Sequence, residues 1–166
     1  LYAVEIHDGS QWQPVYLYKV ARLSICYGWH RNEHPSVSFT TFGTDGAAKA
    51  RLSRFDGAIE SIEVSPKSKA IRAELVDGAA VFSLQPLDKV WIVVDGDDAN
   101  PVFLFADEPK PEVPDGAEYF GPGVHEIGHL HPVEDGGTIY VDGGAWLKGN
   151  IDARARRDVR IMGPGV

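Results

Sequence analysis

From residue 1 to about 106, apolar and polar positions alternate with a period of two in short runs rich in β-branched and aromatic residues. Gly, Pro, Asp or Asn interrupts them every eight to twelve positions. In Val15-Tyr16-Leu17-Tyr18-Lys19-Val20 and Ser36-Val37-Ser38-Phe39-Thr40-Thr41-Phe42, alternate side chains face a core and their neighbours another surface. The pattern predicts strands over 3–6, 14–23, 37–42, 48–55, 61–64, 70–75, 81–84, 89–94 and 102–105, the signature of an antiparallel β-sandwich or barrel. The rival helical stretch, 46–52, is Ala-rich and short and has no apolar stripe.

Residues 107–117 break the pattern. Pro109, Pro111 and Pro114 cannot donate to a ladder and favour extended geometry, so the segment reads as a semi-rigid linker between two domains. Beyond it glycine supplies ten of the fifty residues from Ala117 on, and short apolar runs end at glycine. Thr138-Ile139-Tyr140-Val141 stops at Gly143-Gly144, Ala145-Trp146-Leu147 at Gly149, and Val159-Arg160-Ile161-Met162 at Gly163. With about 20 residues from Gly143 to Gly163, this texture suits the opening coils of a parallel β-helix over 118–166.

The 166 residues carry 16 Lys+Arg against 24 Asp+Glu, a net charge of −8, which argues against nucleic acid or an anionic membrane as partner. With 43% hydrophobic and 24% charged residues the composition is that of a globular protein, and no apolar run approaches the ~20 residues of a membrane span. The start, Leu1-Tyr2-Ala3-Val4-Glu5-Ile6, is not a signal peptide, so an exported protein would have this as its mature form. The single Cys26 excludes an intrachain disulfide and any multi-thiolate metal site, and reads as a small core hydrophobe.

His125-Glu126-Ile127-Gly128-His129 matches the H-E-x-x-H pattern, in which two His one helical turn apart hold zinc and the Glu acts as general base. That chemistry needs a helix. Here Gly121-Pro122-Gly123 precedes the motif, Gly128 interrupts it and Pro132 follows, so His125 and His129 are expected on a strand and its turn, with no metal bound. Asp95-Gly96-Asp97-Asp98-Ala99-Asn100 lacks the Gly and closing Glu of a calcium loop and reads as a hairpin turn. Arg154-Ala155-Arg156-Arg157, between Asp152 and Asp158, reads as a charged inter-strand loop. There is no G-x-S-x-G elbow, phosphate loop or dinucleotide fingerprint, and no cofactor is expected. Trp91 and Trp146, inside apolar runs, are expected in the core, whereas Trp12 and Trp29, beside Gly9, Gly28, His30 and Asn32, are surface candidates for stacking on a sugar.

Tyr119-Phe120-Gly121-Pro122-Gly123-Val124-His125, then Gly137-Thr138-Ile139-Tyr140-Val141-Asp142-Gly143-Gly144-Ala145-Trp146-Leu147-Lys148-Gly149, then Asp158-Val159-Arg160-Ile161-Met162-Gly163-Pro164-Gly165-Val166 resemble the start of the right-handed parallel β-helix of polysaccharide-cleaving glycoside hydrolases. The similar groups are the dextranase and isopullulanase type (family 49) and polygalacturonase-like relatives (family 28). In those families an N-terminal β-sandwich and a Pro-containing linker often precede the helix, and Val102-Phe103-Leu104-Phe105-Ala106-Asp107-Glu108-Pro109 resembles the end of that sandwich.

The resemblance implies a secreted enzyme, extracellular or periplasmic, that hydrolyses glycosidic bonds in a glucan or a pectin-like polymer. Its catalytic carboxylates lie on later coils, so no residue here matches them and no catalytic residue is assigned. The expectation is a fragment of such a hydrolase, inactive alone, with polysaccharide and the rest of the β-helix as its partners. Two other readings compete: a stand-alone carbohydrate-binding or structural β module, and a zinc protease built on His125 and His129.

Overall fold

Strict alternation of buried and open side chains in Tyr2–His7, Ser36–Gly43 and Ala48–Arg54 places one face of each strand in a core. The structure is a computed structural model that describes residues 2–7, 9–21 and 36–166. The described residues are all β apart from a single 3₁₀ turn, Lys67–Lys69, and they form two compact units, Leu1–Glu108 and Pro109–Val166.

The first unit contains β1 (Tyr2–His7), β2 (Trp12–Val15), β3 (Tyr18–Ala21), β4 (Ser36–Gly43), β5 (Ala48–Arg54), β6 (Ile62–Ser65), β7 (Glu74–Val76), β8 (Ala79–Leu84), β9 (Lys89–Val94) and β10 (Asp97–Asp107). They build two five-stranded sheets, in the orders β2-β1-β5-β8-β7 and β3-β4-β10-β9-β6. All pairs are antiparallel except β4 with β10. One hydrophobic cluster joins the inner faces: Val4, Ala50, Leu52, Phe82 and Leu84 from one sheet, Ile92, Val94, Val102 and Leu104 from the other. These residues are almost fully sequestered from water, which supplies the main stabilisation of the unit.

Three expectations need correction here. The run over 14–23 is not one strand: β2 pairs with β1 in one sheet and β3 with β4 in the other, so the chain changes sheet at Tyr16-Leu17. The strand expected over 70–75 shrinks to Glu74–Val76, because Ala70 closes the 3₁₀ turn in a left-handed conformation and Asp77-Gly78, at φ of 51° and 77°, makes the tight hairpin into β8. Residues 97–100 belong to β10 rather than to the turn, which Asp95 and Gly96 form with positive φ. A bulge between Asp97 and Val102 accommodates them, and Asn100 Oδ1 there accepts from the N–H and hydroxyl of Ser36 at 3.0 and 3.1 Å.

The second unit contains β11 (Glu118–Phe120), β12 (Gly123–Pro132), β13 (Thr138–Val141), β14 (Ala145–Asp152) and β15 (Arg160–Met162). Successive strands alternate between two wholly parallel sheets, β11-β13-β15 and β12-β14. One turn of the path carries Glu118 to its partner Ile139, and the next carries Thr138 to Arg160. Corners stack on corners through backbone bonds, Gly123 N–H to Gly144 O at 2.9 Å and Asp142 N–H to Phe120 O at 2.9 Å. Glycine is required where the stacked chains nearly touch: a Cβ on Gly149 would overlap Gly128 O, and one on Gly163 would overlap Val141 O. Val133, Ile139, Val141 and Ala145 fill the interior.

Candidate functional site

Trp12 lies on the outer face of the β2-β1-β5-β8-β7 sheet, because its register partner His7 alternates with the inward Val4 and Ile6. Gly9, at φ 98°, lets the chain reverse between β1 and β2, and its N–H donates to His7 Nδ1 at 3.1 Å. The His7 and Trp12 rings meet edge to face at 5.1 Å, and the Arg51 guanidinium lies 4.6 Å from the Trp12 ring centroid. Arg51 is held by its cross-strand partner Glu5, to which it donates from Nε at 2.7 Å and from its terminal nitrogen at 2.6 Å. Trp12, Glu5, Lys49, Arg51, Val76 and Val81 border an open depression of about 450 Å³. An aromatic ring beside a fixed guanidinium–carboxylate pair offers an apolar surface, donors and an acceptor within one small area.

Trp29, the other stacking candidate, and Cys26 lie outside the described residues. Trp91 is not in the core. β9 sends Val90, Ile92 and Val94 inward, so Trp91 points outward and remains 46% exposed, stacked at 6.0 Å on its cross-strand partner Phe103. Phe105 continues this aromatic row at 6.4 Å from Phe103. Trp146 is half-buried with Lys148 Nζ 5.2 Å from its ring centroid. The row escapes a sequence reading because the run 89–94 is apolar at nearly every position, which hides the parity of the strand.

The H-E-x-x-H segment lies on β12, an extended strand. β12 bulges between Glu126 and Gly128, where Gly128 takes a φ of 80°, but it makes no helical turn that would set His125 and His129 on one face, and no group of three His, Cys, Asp or Glu among the described residues could hold a metal ion. His125 Nε2 donates to Gly121 O at 2.6 Å, and its ring packs edge-on against Phe120. His131 Nε2 lies 2.9 Å from Glu118 Oε2. Asp95 fixes a hairpin: it accepts from the N–H groups of Ser61 and Glu60 at 2.7 and 2.8 Å and from Arg54 at 2.8 Å. The Ser61 N–H foremost, with Glu60 and Arg54, holds its carboxyl below the usual range against the opposing effect of desolvation.

Hydrolysis of a glycosidic bond needs two carboxyl groups facing each other ~5–9.5 Å apart across the substrate. In the second unit Glu118, Asp135, Asp142 and Asp152 are instead held by polar partners of their own, and Glu126 and Glu134 make looser ion pairs at the surface. Glu118 faces His131 at 2.9 Å, Glu126 Lys148 at 3.3 Å and Glu134 Arg156 at 3.6 Å. Asp135 accepts from Arg157 N–H at 3.1 Å, and Asp152 takes two bonds from the Arg154 guanidinium, which pulls its carboxyl down to about 2. Asp142, only 13% exposed, accepts from Tyr119 Oη at 2.6 Å, Lys110 Nζ at 3.0 Å and Gly143 N–H at 2.8 Å. These carboxylates brace corners and strands.

No family model matches the chain, and no curated protein matches it in sequence. Among solved structures, Dex49A from Penicillium minioluteum superposes on 89% of this chain with a TM-score of 0.58 and 12% sequence identity. The likeness is one of fold, and the chain spans 42% of the length of Dex49A.

Proposed function

We propose that this chain is the N-terminal, non-catalytic part of a polysaccharide-cleaving glycoside hydrolase that acts outside the cell on a glucan or pectin-like polymer. On this reading residues 1–106 are the β-sandwich, antiparallel but for β4 with β10, 107–117 the linker and 118–166 the opening coils of a right-handed parallel β-helix. The observation that carries this reading is the superposition on Dex49A, a family-49 dextranase, over 89% of the chain. It agrees with the family-49 resemblance of the Gly121-Pro122-Gly123 and Gly143-Gly144 segments, which form the stacked corners of the second unit. The polar partners that hold Glu118, Asp135, Asp142 and Asp152 support placing catalysis on later coils. No helix among the described residues is long and apolar enough to cross a membrane.

The test compares reducing-sugar release from dextran, pullulan and polygalacturonate by this chain and by a protein in which the encoded reading frame continues through the following coils. The expected result is no turnover by the chain alone and release by the longer protein. Turnover by the chain alone, or none by the longer protein, refutes the reading.

A further inference from the structure

The depression beside Trp12 does not stand alone. A second one, of about 460 Å³, adjoins it on the same outer sheet face and shares Lys49 and Val81 with it. Cross-strand register builds the floor in two rows, Glu5-Arg51-Val81-Glu74 and His7-Lys49-Ser83, and Trp12 stands beside His7 at one end. From β2 to β7 the face crosses four strand spacings, about 19 Å, the dimension of an extended ligand rather than of a single small molecule.

Two ion pairs line this trough: Arg51 with Glu5 at 2.6 Å, and Lys69 with Asp88 at 2.5 Å. Asp88 Oδ2 also accepts from Gln85 N–H at 2.8 Å. The other charges lining it, Lys49 and Arg72 against Glu74 and Asp77, balance as well. On a chain of net charge −8 the trough is therefore locally neutral while dense in donors and acceptors. A net-neutral lining has no excess charge to attract phosphate groups or a uronate polymer. Its polar floor does not suit a lipid or an apolar peptide face. An aromatic ring with planar polar side chains beside it suits a ligand that is apolar on its ring faces and hydroxylated on its edges.

We propose that the outer face of the β2-β1-β5-β8-β7 sheet is a glycan-binding trough that takes an uncharged oligosaccharide. It rests on the reading of the chain as part of a polysaccharide hydrolase and narrows the polymer that the first unit holds to a neutral glucan. Trp12 supplies the stacking surface, Arg51 and Glu5 hydrogen-bond the sugar edge beside it, and Lys49, Arg72 and Glu74 meet hydroxyls further along.

The test is affinity electrophoresis of the 166-residue chain in gels containing dextran, pullulan or polygalacturonate. Four variants are compared: Trp12→Ala, Lys49→Ala, Ser83→Trp and Trp91→Ala, each checked for folding by circular dichroism. Ser83 is exposed on β8, so an indole there fills the trough without touching Trp12 or the core. Retardation is expected in a neutral glucan, weakened roughly tenfold, about 1.4 kcal/mol, by Trp12→Ala and by Ser83→Trp, less by Lys49→Ala, and unchanged by Trp91→Ala on the other sheet. Retardation by polygalacturonate alone, no retardation by any polymer, or parent-like retardation of the folded Trp12→Ala and Ser83→Trp variants overturns the proposal. Hydrolysis by the longer protein with no retardation of this chain removes the trough and leaves the hydrolase reading. Retardation with no hydrolysis removes the hydrolase reading and leaves the trough.

Discussion

Asp142→Asn tests whether the start of the coil stack is held by one carboxylate. Asp142 occupies the corner between β13 and β14 and reaches three groups: the Tyr119 hydroxyl on β11, Lys110 in the proline-rich segment, and its neighbour Gly143 N–H. An asparagine keeps the shape and one acceptor oxygen but loses the charge and turns an NH2 toward one side, so the bonds from Tyr119 and Gly143 change from charge-assisted to neutral at best, and the Lys110 ammonium loses its anion. The difference between the two kinds is about 1 kcal/mol each. The Lys110 share is the smaller because that ammonium is 59% exposed and screened by water. The expected loss is about 1.5 kcal/mol, roughly a tenfold increase in the opening equilibrium. The loss is also pH-dependent. Burial opposes the Asp142 charge, but the bonds from Tyr119, Lys110 and Gly143 outweigh it and hold the carboxyl below its ordinary value. A depressed carboxyl contributes stability that is fully present above its unfolded value of about 3.9 and is lost as the pH falls through the lower folded value. Asparagine does not titrate, so the gap between parent and variant is full at pH 6 and closes as the pH falls below about 4. Hydrogen exchange read by mass spectrometry on peptides covering 118–147, at pH 6 and at successively lower values, measures both effects. A gap that persists unchanged to pH 3, or that appears equally in peptides from 36–106, refutes the assignment.

Leu52→Ala, at a position with no exposure in the first unit, costs about 3 kcal/mol, read as a lower urea midpoint with an unchanged slope. An unchanged midpoint would show that this core can collapse around the void. Gly163→Ala places a Cβ against Val141 O at a φ of 111° and costs at least about 2 kcal/mol, with exchange protection lost first in β13 and β15. Parent-like protection there would refute the close stacking of the coils. Dialysis against a chelator leaves the melting temperature unchanged, and equilibrium dialysis with zinc leaves far less than one ion per chain. A stoichiometric ion lost in His129→Ala would show that β12 is not the strand it forms here.

Alternation was a reliable guide where a strand has one buried face and one wet face. Tyr2–His7, Ser36–Gly43 and Ala48–Arg54 show it, and Ala48–Arg54 overrides the helical propensity of its alanines because Ala48, Ala50 and Leu52 must all face the core. It failed where a single pattern serves two partners. In 14–23 the apolar period continues unbroken through Tyr16-Leu17 while the chain crosses between sheets, and nothing local marks the crossing. The Asp77-Gly78 hairpin had a readable signal, an Asp-Gly pair between two apolar runs. The trough had none: Glu5 and Arg51 are 46 positions apart, and register alone brings them together.

The second unit separates what stabilises a coil from what catalyses on one. A carboxylate that must donate or accept a proton has to change charge during the reaction, so a donor fixed to each oxygen works against it by holding the group in one state. Asp142 is pulled below the ordinary carboxylate range by Tyr119, Lys110 and Gly143 against the opposing effect of burial, and Asp152 by Arg154. Such groups suit a stack whose successive turns must be kept in register by polar contacts at the corners, where the interior offers only the small cluster of Val133, Ile139, Val141 and Ala145. Along a solenoid, stability is roughly a sum of neighbour contacts, so each braced corner adds to the interface between one turn and the next. The hydrolase reading proposed above therefore predicts that its acid and base, which need freedom to titrate, lie outside these braced corners.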